Sequence, residues 1–251
     1  MKGIARSQKE ILSFYENPET ASVYDKERLK SERKRVFRRI ESYWATKFLT
    51  KPGKILEVGV GTGFISKELC EYGELTGIDS SGEMLSIARK KLKGKKVKLK
   101  KKDLFEFKEG PKFDFLVSFR VLLHFDDENL VKALDVFSRN LKTGGFAIFD
   151  VESRSLLKKI IACFRVMLGK GKEAQAPQHS REDILMLISS VSGLRVEKII
   201  AMDHLALFLP LYIANNFLKF ETLSNFLFNI DIRMKNVHIG NTRWVVLCKK
   251  K

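Results

Sequence analysis

From Lys54 onward the chain alternates short apolar runs with longer segments in which apolar residues recur at helical spacing. The pattern predicts strands at 54–59, 75–79, 96–100, 113–119 and 145–151, with helices at 63–72, 81–92 and 127–140. Such alternation builds a parallel, doubly wound sheet. Ahead of it, Leu29, Val36, Phe37, Ile40, Tyr43, Trp44 and Phe48 follow helical spacing, opposite a face carrying Arg33, Lys34, Arg38 and Arg39. One amphipathic helix is therefore expected from Tyr24 to Leu49, ended by Pro52-Gly53. Beyond 151 the pattern loosens. Leu156 to Leu168 predicts a short apolar-basic helix, and a loop follows through Gly169-Lys170-Gly171 and Ala176-Pro177. Ser180 is then expected to cap a helix whose first turn holds Glu182 and Asp183, with Gly193 as its stop. Strands at 194–202 and 243–249 complete the set.

Within this frame, Ile55 to Phe64 (ILEVGVGTGF) reads as a buried strand entering a tight glycine turn and then a helix. Gly59, Gly61 and Gly63 let the backbone approach a ligand closely, and Asp79 ends the next strand twenty positions after Gly59. That is where a nucleoside-binding α/β fold sets a carboxylate on ribose hydroxyls. The glycine order is not G-x-G-x-x-G, and Glu57 stands just before the turn, where an acid disfavours an approaching phosphate. A cationic, phosphate-free cofactor fits better.

On these residues the chain resembles the class I S-adenosylmethionine-dependent methyltransferases, in particular the broad menaquinone and ubiquinone type (methyltransferase type 11). The resemblance runs from about Lys51 to Glu152 and more loosely to Ile200. It implies an α/β, Rossmann-like fold: a seven-stranded, mostly parallel sheet with an antiparallel last strand, plus an N-terminal helix and helical cap insertions. The expected division is a helical segment at 1–50 closing over the cofactor and a methyltransferase domain at 51–251, with insertions near 153–178 and 204–242. The connection between the last two strands is enlarged by about forty residues.

The resemblance assigns S-adenosylmethionine as cofactor and gives roles to several residues. Glu57 is expected to position its amino-acid moiety, the alternative being a solvent-facing strand end. Asp79 is expected on both ribose hydroxyls, with Ser80 beside it, although Asp79 could also cap a helix. Asp103 matches the position that contacts the adenine amine, with Leu104 against the ring; Asp103 could instead only end a strand. Phe119 and Arg120 are expected to line the cofactor cleft.

His124 is the candidate base, because imidazole titrates near neutrality, and it competes with a reading in which it ties the loop to the next helix. His179 lies near the cleft by analogy or packs a loop, and Asp150 faces substrate or caps a helix. Ser118-Phe119-Arg120-Val121 stands where base-amine methyltransferases carry (D/N)-PP-(Y/F), and no cysteine is nearby to act as a thiol nucleophile.

A formal net charge of +17 over 251 residues adds attraction to something acidic: RNA, an anionic membrane surface or an acidic substrate. The acid-free run Arg89 to Lys102 is either a solvated helix end and strand edge or a polyanion dock. Cys70, Cys163 and Cys248 lack metal or disulfide spacing, which indicates a reducing cytoplasm and no metal. No signal peptide or bilayer span is expected. The apolar stretch Leu205 to Ile230, broken by Asn215, Asn216, Lys219, Glu221 and Asn225, is a buried lid or a surface for a greasy substrate or bilayer, capping the cleft together with 156–168.

The expectation is thus a cytoplasmic enzyme, free or in peripheral contact with a membrane, that methylates a small or lipid-like acceptor in line. RNA methylation and a non-catalytic cofactor-binding scaffold are the alternatives. The acceptor, the methylated atom and the oligomeric state are left open.

Overall fold

The computed structural model describes residues 8–154, 176–204, 208, 210–211 and 221–251. The expected helix at 156–168 and most of the apolar stretch 205–220 lie outside these residues.

The sheet has seven strands: β1 (Gly53–Val58), β2 (Gly73–Asp79), β3 (Val97–Lys101), β4 (Phe113–Ser118), β5 (Leu141–Glu152), β6 (Leu194–Met202) and β7 (Arg243–Lys250). Their order is β3-β2-β1-β4-β5-β7-β6. The first five pair in parallel, and β7 runs antiparallel between β5 and β6. The mostly parallel doubly wound sheet with an antiparallel last strand is the architecture expected. Residues of β1 and β4 are covered on both faces, as the unbroken apolar runs Ile55-Leu56 and Phe115-Leu116-Val117 require. One core packs Leu56, Val58, Leu116, Phe137 and Phe149, a second packs Ile40, Trp44, Ile55, Phe115 and Ile148, and a smaller one packs Val60, Leu85, Ala88 and Leu92.

The N-terminal part differs from expectation. Instead of one helix from Tyr24 to Leu49 there are three: α1 (Gln8–Glu16), α2 (Pro18–Arg28) and α3 (Glu32–Thr46). Asn17 accepts from the Thr20 N–H ahead of Pro18, and Ser31 accepts from the Lys34 N–H, so each new helix starts on its own cap. The expected helix at 63–72 is also shorter, a single turn α4 (Ser66–Leu69) followed by a 3-10 turn over Cys70–Tyr72.

α5 (Gly82–Lys91) and α6 (Asp127–Asn140) follow as expected, capped by Ser81 and Asp126. β5 begins at Leu141 rather than 145, because Leu141 already pairs with Phe113. α7 (Arg181–Ser189) starts on a reciprocal capping box between Ser180 and Asp183. α8 (Glu221–Arg233), the described end of the apolar stretch, packs on α3: Arg39 donates to Asn225 at 2.9 Å, and Tyr43 meets Phe228 edge to face.

Candidate functional site

The C-terminal ends of β1, β2 and β4 open into a cavity of about 380 Å³. This is the carboxyl edge of the parallel strands, where open α/β sheets bind ligands. Glu57, Gly59, Gly61, Asp79, Ser80, Asp103, Leu104, Phe119, Arg120 and His124 all line it. Gly63 does not; a Cβ there would press on Ala88 and Leu92, so this glycine seats the turn against α5.

The turn is held by backbone geometry that favours glycine. Gly59 and Gly61 have φ of 79° and 54°. A Cβ on Gly59 would collide with Val121, whereas one on Gly61 would meet nothing within 4 Å. The Asp79 carboxylate is preset: Oδ2 accepts from the Gly61 N–H at 2.7 Å and Oδ1 from the Ser81 N–H at 2.8 Å. Each oxygen keeps a further lone pair. Burial raises the Asp79 carboxyl above its ordinary value despite those two bonds.

Glu57 is 3% exposed, which removes the solvent-facing alternative. Ser66 donates to its Oε2 at 2.5 Å. Burial, with Asp79 adding to it, pushes the Glu57 carboxyl up to about 8. Asp103 accepts from the Phe105 N–H at 2.8 Å and faces the cavity beside Leu104.

These donors and acceptors suit S-adenosylmethionine. A buried carboxylate beside a glycine turn matches an ammonium group, a preset carboxylate matches a ribose diol, and the open face of Gly61 leaves room for close approach. Among the described residues no cluster of His, Cys, Asp and Glu could hold a metal ion.

The other end of the cavity is built around Arg120. Its φ of 66° is in the left-handed region, a conformation that costs about 1–3 kcal/mol in a non-glycine residue. Asp150 fixes it by accepting the Arg120 N–H at 2.7 Å. Asp150 is fully buried and also accepts from Arg243 at 2.6 Å, so it neither faces substrate nor caps a helix. Glu41, likewise fully buried, accepts from Arg38 at 3.4 Å, from Arg243 at 3.2 Å and from Arg120 at 3.5 Å.

His124 is half-buried, and its Nε2 has no hydrogen-bond partner among the described residues. Burial, then Arg120 and Arg243, push its imidazole down to about 4, so it is neutral across the physiological range. His179 is elsewhere: it contacts Asp127 at 3.0 Å, bridges to Ser153 and packs the loop.

A roof of N-terminal helices covers the cavity, and Ile11, Leu12, Tyr15, Tyr24 and Arg38 line it from that side. The roof is tied to the floor. The Ser81 hydroxyl donates to the Tyr15 carbonyl at 2.8 Å, the Thr62 hydroxyl donates to Asp25 at 2.7 Å, and Glu16 pairs with Lys101 at 2.7 Å. Tyr15, Tyr24, Glu41 and Arg243 were not singled out from sequence. Arg243 had a legible signal, a charge directly ahead of the apolar run Trp244 to Cys248; the tyrosines had none, because only the break of the helices turns them inward. α8 lends no residue to the cavity lining.

The match to known proteins agrees with this geometry. Residues 55–145 fit the family description "Methyltransferase domain". An uncharacterized methyltransferase from Geobacillus sp. (strain WCH70) is 35% identical over 145 residues, which is 56% of this chain and 67% of the relative. A malonyl-[acyl-carrier protein] O-methyltransferase from Priestia megaterium (strain DSM 319 / IMG 1521) is 25% identical over 123 residues, 48% of this chain and 44% of the relative, so this chain spans under half of that protein.

Among solved structures, the magnesium protoporphyrin IX methyltransferase of Synechocystis PCC 6803 with bound S-adenosylhomocysteine shares the fold, with a TM-score of 0.64 at 14% identity over 98% of this chain and 100% of the other. By its sheet order, its strand-end cavity and these relatives, the chain belongs to the class I S-adenosylmethionine-dependent methyltransferases.

Proposed function

We propose that the protein methylates a small-molecule acceptor inside the roofed cavity, with the cofactor held along the ends of β1, β2 and β4. The observation that supports this most is a single chamber with two chemically distinct ends. One is a glycine turn flanked by Glu57 and Asp79, and the other is an arginine-rich wall beside His124. When bound, S-adenosylmethionine supplies an activated methyl group on a sulfonium.

Asp79 would accept from the ribose hydroxyls with the lone pairs its backbone bonds leave available. Glu57 would face the ammonium, and Asp103 with Leu104 would hold the adenine amine and ring. Phe119 and the roof residues Ile11 and Leu12 give the chamber an apolar lining that would shield the reacting atoms. Little covalent work falls to the side chains, whose task is alignment and desolvation, with His124 placed to take a proton where the acceptor must lose one.

The roof argues for a small acceptor, since a polynucleotide would have to pass helices tied to the floor. Within the basic run, Lys91, Lys95, Lys100, Lys101 and Lys102 pair with acids, which occupies half of its ten cations. A lipid-like acceptor gains no support from α8, which packs on α3 instead. A scaffold has no use for a buried, cation-seeking Glu57. No described helix is long and apolar enough to cross a membrane.

The test is incubation with methyl-labelled cofactor and separated small-molecule, lipid and RNA extracts. Label is expected in the small-molecule extract; label confined to RNA or to lipid would overturn the proposal.

A further inference from the structure

We infer that the methyl acceptor carries an anionic group, a carboxylate or a phosphate, and that the Arg120 guanidinium seats it. The inference rests on the methyl-transfer reading and adds the acceptor's chemical class.

Four arginines converge at this end of the chamber. Arg38 and Arg120 line it, and Arg28 and Arg243 stand behind them. Their counter-charges are unevenly shared. Arg243 takes Asp150 at 2.6 Å and Glu152 at 3.4 Å, and it also draws on Glu41. Arg38 and Arg120 are left with long contacts to that same Glu41, and Arg38 lies 3.9 Å from an Asp25 already paired with Lys91.

Around Arg28 the groups that favour its charge are the phenols of Tyr24 and Tyr15, while burial and Arg120 work against it. Burial pushes the Tyr24 phenol up, yet Arg120, Arg28 and Arg38 together hold it below its ordinary value, so a neutral hydroxyl feels the surplus positive field. At Arg120 burial and Arg243 oppose the charge, but Glu41 and the two phenols hold the guanidinium above its ordinary value, so it stays charged, and with Glu41 shared among three arginines it can take a further anion.

The hydrogen-bonding inventory points the same way. Arg120 Nε and Arg38 Nε are buried without a partner among the described residues, as is His124 Nε2. A guanidinium with an unused edge is a bidentate receptor for a carboxylate or phosphate. The cofactor's own carboxylate accounts for one such seat. Arg38 is the natural one, because its guanidinium lies 4.0 Å over the ring of Phe64, directly after the glycine turn. Arg120, at the end of β4 beside His124, is the second. The backbone strain there and its fixation by Asp150 aim a side chain held only by a long contact to Glu41 and a hydrogen bond with Tyr24, which leaves its Nε unused.

The test titrates inorganic phosphate and acetate calorimetrically into protein saturated with S-adenosylhomocysteine. Saturable binding is expected, weakened tenfold or more in Arg120→Gln, partly restored in Arg120→Lys, and weakened about threefold in Arg28→Gln, which keeps the proposal testable should Arg120→Gln not fold. Tighter phosphate binding would point to a phosphate acceptor and tighter acetate binding to a carboxylate.

Absence of saturable binding, or binding indifferent to both substitutions, would overturn the inference. So would an Arg120→Gln variant that loses S-adenosylhomocysteine but retains methylthioadenosine, which lacks the amino-acid carboxylate, since Arg120 would then serve the cofactor. A labelled small-molecule extract is finally resolved by anion exchange. Label in the retained fraction supports an anionic acceptor, and label in the flow-through overturns it while leaving methyl transfer standing. No label in any extract overturns methyl transfer itself, and the anion titration still decides the seat.

Discussion

Glu57 carries its proton at pH 7, because burial has pushed its carboxyl up to about 8 from an ordinary 4.5. Below about pH 4.5 the folded and unfolded chains are both protonated there, and the contribution to stability is complete. As pH rises toward 8 only the unfolded chain ionises, so that contribution is lost. The melting temperature of the ligand-free protein is therefore expected to fall from pH 5 to 8 more steeply than that of Glu57→Gln. A bound ammonium reverses the balance by favouring the ionised carboxylate. Cofactor binding at pH 7 should then release a proton, read by calorimetry in buffers of different ionisation heat, and Glu57→Gln should abolish that release.

Asp79→Asn keeps an acceptor for one backbone N–H but loses the charge on which the ribose bonds would rest. Each charge-assisted bond is worth about 1.5–3 kcal/mol, so a loss of affinity of about tenfold or more is expected with the fold retained; unchanged affinity would remove Asp79 from the ribose. His124→Ala should lower the rate of label transfer about 10²-fold and change S-adenosylhomocysteine affinity less than twofold. Near-normal transfer would return His124 to a structural role. Glu57, Gly59, Gly61, Asp79 and Asp103 were legible in sequence as residues of the cavity lining because one local segment, a strand end with its turn, decides each, whereas Gly63 packs on α5 instead. Asp150 was not, because its partners Arg120 and Arg243 lie 30 and 93 positions away.

Among the elements, the β1–α4 turn separates conformational demand from ligand demand. Gly59→Ala must both adopt φ near 79° and displace Val121, and it is expected to lower the melting temperature sharply. Gly61→Ala meets no atom, so it should fold at a cost of about 1 kcal/mol and weaken cofactor binding, because its methyl group occupies the approach to the turn. Equal loss of stability in both variants would contradict this division.

β1 and β4 were legible as buried apolar runs, and β6 matches its expected span of 194–202. The N-terminal helices were misjudged because apolar spacing runs through Leu29 while the Ser31 cap interrupts the backbone there. Periodicity reports which face is buried, and caps report where the axis changes. The early start of β5 depends on a register with β4 that no local signal carries.

At the scale of the whole molecule, Lys91, Lys95, Lys100, Lys101 and Lys102 are paired with acids on and around the edge strand β3, although 47 Lys and Arg against 30 Asp and Glu leave the chain at +17. An edge strand rich in charge also resists pairing with another sheet. Such exposed pairs contribute little stability each and weaken with salt. One of them, Lys101 to Glu16, joins the edge strand to α1 and so belongs to the roof.

The roof has a kinetic consequence. Tyr15 and Tyr24 line the same chamber as Asp79 and Arg120, so both reactants would enter under one roof, and a roof that closed on the cofactor would fix the order. Turnover should then be an ordered sequence, with cofactor entering first and spent cofactor leaving last, and the slow event should be reopening rather than chemistry. Spent cofactor is expected to inhibit competitively against fresh cofactor and noncompetitively against acceptor, and added viscogen should slow steady turnover but not a single turnover. Glu16→Ala, which frees the latch at α5 and β3, should shorten the residence time of spent cofactor severalfold, and a random-order inhibition pattern would show that the helices do not act as a gate.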